Sequence, residues 1–450
     1  MKVCDCWVRT QRRPGANHNA ISLICATTAL AAHNFPSATT AHGLFKIPAE
    51  DADEAEEDFV LESFLPHFPG AEQLVNSAEL IAWDEFPCAH RMVFEAAARV
   101  TDNFAGKVFL CTGDLRQLTP VVKSACALAQ INASPVNSKL WPRFEIFVLR
   151  ENMRQAEDPE YADFITRLGE GKDGSTYIRR KAAVDIAPFV QQTFASSTME
   201  DAVDFVYPGC TEAEQDPLNR AKLMAKSAIL AHTNDRVAFW NHEVQQLLPL
   251  GVSKSFFSAN KLCDVHDNDA NAELLTLECL QYCDAADVPT HHLKLHVGDL
   301  CILMRNIDKP LGLTNNQRVI IRALRASTIG VSIARDDSNT VHWLPRIHFR
   351  FVMPGTSFEM IRTQFPLKLA YAFTVHKAQG QELQRVLLDT TTPVFAHGQL
   401  YVALSRVRTR GGIGAFVNPE QVTETVVPCT NIVFEELIRY VSNDLHIFPS

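Results

Sequence analysis

Three apolar runs constrain this chain more than any other feature: ELIAWDE at residues 79–85, KVFLCTGD at 107–114 and EIFVLRENMR at 145–154. In each, a short continuous apolar core runs straight into charged or polar residues. Continuous rather than alternating hydrophobicity implies a strand buried on both faces, as in a parallel sheet covered by helices. Between the first two lies MVFEAAARV, which is helical in composition. Strands alternating with helical segments specify an α/β fold with a parallel sheet. On such sheets ligands gather at the carboxyl ends of the strands, which is where the charges of these runs sit.

The 450 residues exceed one compact core, so two or three domains are expected. No apolar run approaches the roughly 20 residues that span a bilayer. The basic N-terminal positions Lys2, Arg9, Arg12 and Arg13 precede no continuous apolar stretch, so a secretion signal fits poorly and an intracellular address is expected. The twelve cysteines are scattered; the closest groupings, Cys4/Cys6 and Cys279/Cys283, lack a second pair or histidines at zinc-binding spacing, and read as free thiols. A net charge of −10 argues mildly against a nucleic-acid binder, yet seven carboxylates sit in the nine residues EDADEAEED at 50–58. A like-charge block of that kind reads as a solvated loop, and without it the chain is close to balance.

Elsewhere, ISLICATTALAAHNF from Ile21 reads as a strand entering a small-residue helix. Residues 182–226 are mainly helical in composition but ambiguous. KSAILAHTNDRVAFWNHEVQQLL gives a strand over Ala228–Ala231 and a helix opening near Asn234. From about 256 to 350, short apolar runs separated by turn residues indicate a β-rich insertion. LKLAYAFTVHKAQG returns to strand-then-helix, VLLDTT is a strand, GQLYVALSRV a helix and GGIGAFV a final strand.

Several of these ends carry recognisable chemistry. Asp84 at a strand end can hold Mg²⁺ while Glu85 polarises an attacking water, although adjacent acids are also common in exposed turns. Gln117, in GDLRQ, offers an amide able to sense a phosphate and orient water, with a plain strand-to-loop turn as the alternative. Arg150, Arg154 and Arg406 carry the planar, permanent charge suited to a transferring phosphoryl group, but isolated arginines also serve as surface ion-pair partners. In TVHKAQG, at residues 374–380, a helix start would present amides to phosphate, with His376 and Lys377 as added donors; an ordinary helix start is the alternative.

Taken in order, these segments resemble the Pif-type helicases of helicase superfamily one, and among them the helicase portion of Helitron transposons. LIAWDEFPCAHRMVFEAA looks like motif II of that family, GKVFLCTGDLRQLTPVV like motif III and NSKLWPRFEIFVLRENMR like motif IV. FPLKLAYAFTVHKAQGQ resembles motif V and FAHGQLYVALSRVRTRGGI motif VI, while LKLHVGDLCILMRNIDKPLGLTNNQRVII is similar to the inserted 2B domain. The likeness runs from about residue 22 to 418.

The resemblance implies two RecA-like parallel-sheet motor domains with a small β-rich 2B insertion. Residues 21–150 would form motor 1A, 151–255 and 351–450 motor 2A, and 256–350 the insertion, after a non-matching stretch at 1–20. It further implies ATP and Mg²⁺ as cofactors, single-stranded and duplex DNA as partners, and 5′-to-3′ translocation with unwinding in nuclear DNA repair, recombination, telomere maintenance or transposition. Asp84 would coordinate the metal and Glu85 act as catalytic base. Gln117 would sense the γ-phosphate, and Arg154 and Arg406 would serve as arginine fingers. Gln379 and Gly380 would couple nucleotide to DNA, with Thr27, Thr39, His42, His376 and Lys377 touching the nucleic acid.

The sequence departs from the family at one place. Members carry a GxxGxGKT/S loop upstream of the first strand, but residues 1–20 read MKVCDCWVRTQRRPGANHNA with only Pro14-Gly15-Ala16 as an echo. A truncated start and a decayed remnant both account for this. Either leaves a catalytically silent single-strand binder as the rival expectation. A metal hydrolase built on Asp84 and Glu85 would need further clustered ligands that the sequence does not show.

Overall fold

The computed structural model describes residues 21–48, 60–120, 122, 127–149, 151–172, 181–212, 216–249, 251–263, 280–283, 285, 287–336, 338, 340–353, 356, 358–421 and 426–440. The N-terminal stretch without the lysine loop, the acidic block at 50–58, Arg150, and Cys4, Cys6 and Cys279 lie outside them. The chain divides into two compact units: residues 1–185 with 394–405 and 428–450, and residues 186–393 with 406–427.

The first unit is built on a parallel sheet of β1 (Ile21–Ala26), β2 (Thr39–Thr40), β3 (Ala78–Asp84) and β4 (Val108–Cys111), in the order β2-β1-β3-β4. All five interior positions Leu80–Asp84 except the last are buried, as the continuous apolar run requires. Trp83 is fully buried, with Phe45, Phe86 and Phe109 ringed around it at centroid distances of 5.9, 5.3 and 6.3 Å. Each such aromatic contributes roughly 1.5–3 kcal/mol by burial, so this cluster anchors the sheet that carries Asp84. The helix Arg91–Val100 covers it, burying Val93, Phe94 and Ala96–Ala98. Helix starts are set locally. Thr28 Oγ1 accepts from Ala31 N at 3.2 Å, Thr40 Oγ1 from Gly43 N at 3.2 Å, and Asp158 Oδ1 from Tyr161 N at 3.2 Å ahead of Pro159. A two-stranded antiparallel pair, β5 (Lys181–Asp185) with β21 (Pro428–Ile432), belongs to the same unit.

One expected strand does not form. EIFVLR has no regular secondary structure over 145–149, and Phe147 and Leu149 are 78% and 85% exposed. Strand formation depends on a hydrogen-bonding neighbour as much as on apolar residues. Among the described residues β4 pairs only with β3, so its outer edge stays open, Val108 is half exposed, and the run does not add to that edge. Phe144, just before it, is held against Phe109 and Phe86 at 6.1 and 6.0 Å.

The second unit has a five-stranded parallel sheet of β6 (Gln192–Phe194), β7 (Ala228–Ala231), β18 (Ala372–Thr374), β19 (Val386–Asp389) and β20 (Ile413–Phe416), ordered β18-β7-β19-β20-β6. β7, β19 and β20 are buried at every position. The helix Asn234–Leu247 opens on Thr233, as expected near Asn234, and buries Trp240. The ambiguous segment 182–226 resolves into β5, β6 and the helices Met199–Val206 and Pro217–Met224.

Antiparallel strands β8 (Ser253–Phe257), β9 (Ala259–Leu262), β10 (His292–His296), β11 (Leu300–Leu303), β12 (Arg318–Leu324), β13 (Ile329–Ile333), β14 (His342–Leu344), β15 (Ile347–Val352), β16 (Glu359–Gln364) and β17 (Leu367–Leu369) form the β-rich insertion. They build sheets β14-β13-β12-β11-β17, β15-β16-β9 and β10-β8 around a core of Val319, Ile321, Val331 and Leu367. The antiparallel pairing continues to Leu369, past the expected limit of 350, because β16 pairs with β15 and β9, and β17 with β11. Arg318 and Tyr371 tie the insertion to the parallel sheet. The guanidinium donates to the carbonyls of Ala225, Ser227 and Ala370 at 2.9 Å, and Tyr371 Oη donates to Asp299 Oδ1 at 2.6 Å. Two RecA-like parallel sheets and an antiparallel insertion are therefore present, as the sequence implied.

Candidate functional site

At the carboxyl end of the first sheet, backbone and hydroxyl groups lace three strand ends into one corner. Thr27 N donates to Asp84 O at 3.0 Å and Thr112 N to Trp83 O at 2.9 Å, while Phe86 N reaches Thr112 O at 2.9 Å. Thr27 Oγ1 donates to Glu85 O at 2.6 Å and accepts from Trp83 Nε1 at 3.0 Å, so this hydroxyl is engaged inside the fold. Thr112 Oγ1 donates to Asp84 Oδ1 at 2.7 Å, fixing the carboxylate. Glu85 sits at φ 53°, a left-handed conformation uncommon for a residue with a side chain, as often seen where a strand end must aim a functional group. Gly113 makes the corner possible, since a Cβ there would lie 2.2 Å from Pro87 Cδ.

The GDLRQ turn that follows is held by side chains the sequence reading did not single out. Tyr401 Oη donates to Asp114 Oδ2 at 2.6 Å, and Asp114 Oδ1 accepts from Arg116 N at 3.0 Å. His397 bridges two segments: Nε2 donates to Leu115 O at 2.9 Å and Nδ1 accepts from Phe434 N at 2.9 Å. The bond accepted at Nδ1 requires the neutral ring, and burial pushes this imidazole down to about 4. Gln117, within this turn, presents a buried Oε1 without a hydrogen-bond partner among the described residues. A buried amide oxygen left bare is costly unless something donates to it, as a water or ligand would. Arg154 Nη1 and Gln155 Nε2 converge on Ser405 O at 3.2 and 3.3 Å, and Tyr161 Oη donates to Leu404 O at 2.8 Å. Thr39 lies in β2 opposite Cys25, and His42 is half-buried on the short helix after it, its pKa lowered by burial.

In the second unit, TVHKAQG does not start a helix as expected. It forms a single 3-10 turn over Val375–Ala378, and Gly380 leaves it at φ 74°. Gln381, bonded back to Ala378 O and through Nε2 to Lys377 O, closes the turn before a helical ladder begins. His376, half-buried near the buried His232, is pushed down to about 4, as is His232, in both cases chiefly by removal from water. Burial also lowers Lys377, with Lys368 adding to the effect. Gln379 ends the turn, its N reaching His376 O at 3.4 Å. Asp389, fully buried at the end of β19, accepts from Arg236 Nε and Trp240 Nε1 at 2.7 Å and from Thr391 N at 2.9 Å. Arg406 is 1% exposed, and its Nη1 donates to Gln381 O at 3.3 Å. The predicted residues are thus shared out: Thr27, Thr39, His42, Asp84, Glu85, Gln117 and Arg154 in the first unit, and His376, Lys377, Gln379, Gly380 and Arg406 in the second.

Asp114, Tyr401, His397 and Asp389 escaped the sequence reading. The first three sat inside segments already noted, GDLRQ and FAHGQLYVALSRV, but only folding pairs positions 114 and 401.

Two parallel α/β units, with a β-rich insertion within one of them, form a RecA-like architecture. Residues 13–178 match the family described as PIF1-like helicase, and residues 278–324 match the 2B domain of the DNA helicase Pif1. Over those residues the chain is similar to Pif-type helicases. It is 35% identical over 134 residues to the ATP-dependent DNA helicase PIF1 of Danio rerio, covering 30% of this chain and 21% of that protein. It is 26% identical over 356 residues to the human ATP-dependent DNA helicase PIF1, covering 77% of this chain and 47% of that one. The chain thus spans less than half of these relatives. Among solved structures, Pif1 helicase from Candida albicans superposes with a TM-score of 0.57 at 19% identity, covering 93% of this chain and 88% of that one. Bacteroides Pif1 in complex with ADP-AlF3 and ssDNA gives a TM-score of 0.57 at 22% identity over 93% and 86%. These likenesses establish the fold. Among the described residues no helix is long and apolar enough to cross a membrane.

Proposed function

We propose that this chain is the motor core of an ATP-driven DNA helicase, in which nucleotide hydrolysis on the first unit drives movement along single-stranded DNA. The observation that carries the reading is the Asp84-Glu85 corner. A carboxylate pinned by Thr112 and an acid held at positive φ sit beside a turn that carries the bare amide oxygen of Gln117. Asp84 is the residue for Mg²⁺. Among the described residues no three or more His, Cys, Asp or Glu side chains gather to hold a metal alone. Magnesium is characteristically held by one or two carboxylates together with waters and substrate phosphates, and a single aspartate fits that donor set. The bound ion would neutralise charge on the phosphates. Glu85 accepts the proton of the attacking water, and Gln117 orients that water through its amide. Arg154 and Arg406 supply permanent positive charge to the phosphoryl group. Thr39, His42, His376 and Lys377, with Thr27 supporting the corner, contact the nucleic acid, and Gln379 and Gly380 link that contact to the nucleotide. The 5′-to-3′ polarity, unwinding of duplex DNA, and a nuclear role in repair, recombination, telomere maintenance or transposition rest on the family resemblance.

Glu85→Gln separates this reading from a silent DNA binder. DNA-stimulated ATP hydrolysis is expected to fall by about 10²–10⁴-fold while oligonucleotide affinity stays within twofold. Tight single-strand binding with no hydrolysis in either protein would overturn the enzyme reading.

A further inference from the structure

We infer that an open, cationic groove of about 760 Å³ at the amino end of the second unit's parallel sheet binds the phosphodiester backbone of a nucleic acid. This deepens the proposed function and rests on its assignment of nucleic acid as partner. The groove lies between the helix Pro217–Met224, the end of β13 and the segment entering β19, and its lining includes Lys222, Lys226, Arg335 and Glu382. Three cations therefore face one carboxylate, in a chain whose net charge is −10. That carboxylate is already engaged, since Glu382 Oε1 accepts from Arg408 Nε at 2.8 Å. A further cation is near: Arg318, 4% exposed, donates to the carbonyls of Ala225, Ser227 and Ala370, and its charge and that of Arg335 oppose one another.

The geometry of the cations is fixed rather than incidental. Arg335 Nη2 is held by Glu382 O at 2.8 Å, which orients the guanidinium. Lys222 and Lys226, four positions apart, project from one face of the helix and its exit. The backbone bond from Gln384 N to Lys226 O, 2.8 Å, joins the two walls. Buried Leu383 and Ala334 complete the lining, and Asn219 and Gln384 add amide donors. Cations with neutral amide donors and an apolar floor suit a backbone phosphate with its sugar, read without regard to base. Lys226 and Gln384 each lie two positions before the first residue of their strand, β7 and β19 respectively. His376 and Lys377 follow the carboxyl end of β18, so the groove is a second contact, separate from that turn.

The test uses the full chain, a fluorescent 20-residue oligothymidylate and a salt series. Changing Lys222→Gln and Lys226→Gln together removes two of the groove's charges. The slope of log K against log salt is expected to become shallower by about 1.4, with affinity reduced roughly 10- to 30-fold at 0.1 M salt. In the parent chain, the oligonucleotide is expected to protect both lysines from an amine-reactive acetylating reagent. Unchanged slope and affinity in this variant, while His376→Ala with Lys377→Ala weakens binding, would overturn the groove and leave the proposed function standing. Protection by inorganic phosphate but not by bound oligonucleotide would also overturn it, as would failure of the parent chain to bind oligonucleotide, which overturns both readings.

Discussion

At the scale of single residues, the first unit depends on positions where backbone comes too close for a side chain. Gly398 is the sharpest case. It adopts φ 71° at the start of the helix Gln399–Leu404, and a Cβ there would sit 2.4 Å from Arg116 O and 2.7 Å from Gln117 O. The glycine thus lets the chain carrying His397 and Tyr401 lie directly on the GDLRQ turn. Gly398→Ala is expected to cost about 2–3 kcal/mol through strain and forced displacement, read as a lower urea midpoint for the first unit. An unchanged midpoint would show that the turn accommodates the methyl group, and the packing role would fall. Asp84, Glu85 and Gln117 were legible in the sequence because each ends or follows an apolar run. Gly398 was not, because its constraint comes from residues nearly 300 positions away.

Among the elements, the parallel strands were the most legible. β1, β3, β4, β7, β19 and β20 all form where apolar runs placed them, since such runs are stable only with both faces covered. EIFVLR and TVHKAQG show the limit of that inference. Each has the right residues, but the first has no strand beside it and the second is closed after one turn. The unpaired run has a measurable consequence. Ile146, Phe147, Val148 and Leu149 make an exposed apolar stripe in the unit whose edge strand β4 is open among the described residues. Stripes and open edges of this kind promote association between copies. Changing Phe147→Lys and Leu149→Lys together is expected to raise the monomer fraction in sedimentation velocity, with the thermal midpoint within error of the parent. Equal self-association in both proteins would exonerate the stripe.

For the whole molecule, three histidines link stability to pH. His232 and His376 in the second unit and His397 in the first are each pushed to about 4 by burial, against an ordinary value near 6.5. Above about pH 6.5 neither folded nor unfolded chain protonates them, so they impose no penalty. Between there and about pH 4 the unfolded chain binds protons that the folded one refuses. Stability therefore falls as pH falls, by up to about 1.4 kcal/mol per pH unit for each histidine. Thermal midpoints are expected to drop between pH 7 and pH 5, with a shallower drop for the first unit in His397→Gln. A flat profile would mean that these rings become protonated in the folded state. By itself the sequence determined the α/β class, the buried strands of the two parallel sheets and the β-rich insertion, because hydrophobic runs and turn residues are local properties. Only the tertiary structure decided that Tyr401 meets Asp114, that His397 joins Leu115 to Phe434, and that Lys222, Lys226 and Arg335 share one groove. Those pairings join residues far apart in the chain, and what selects them is the packing of buried surfaces.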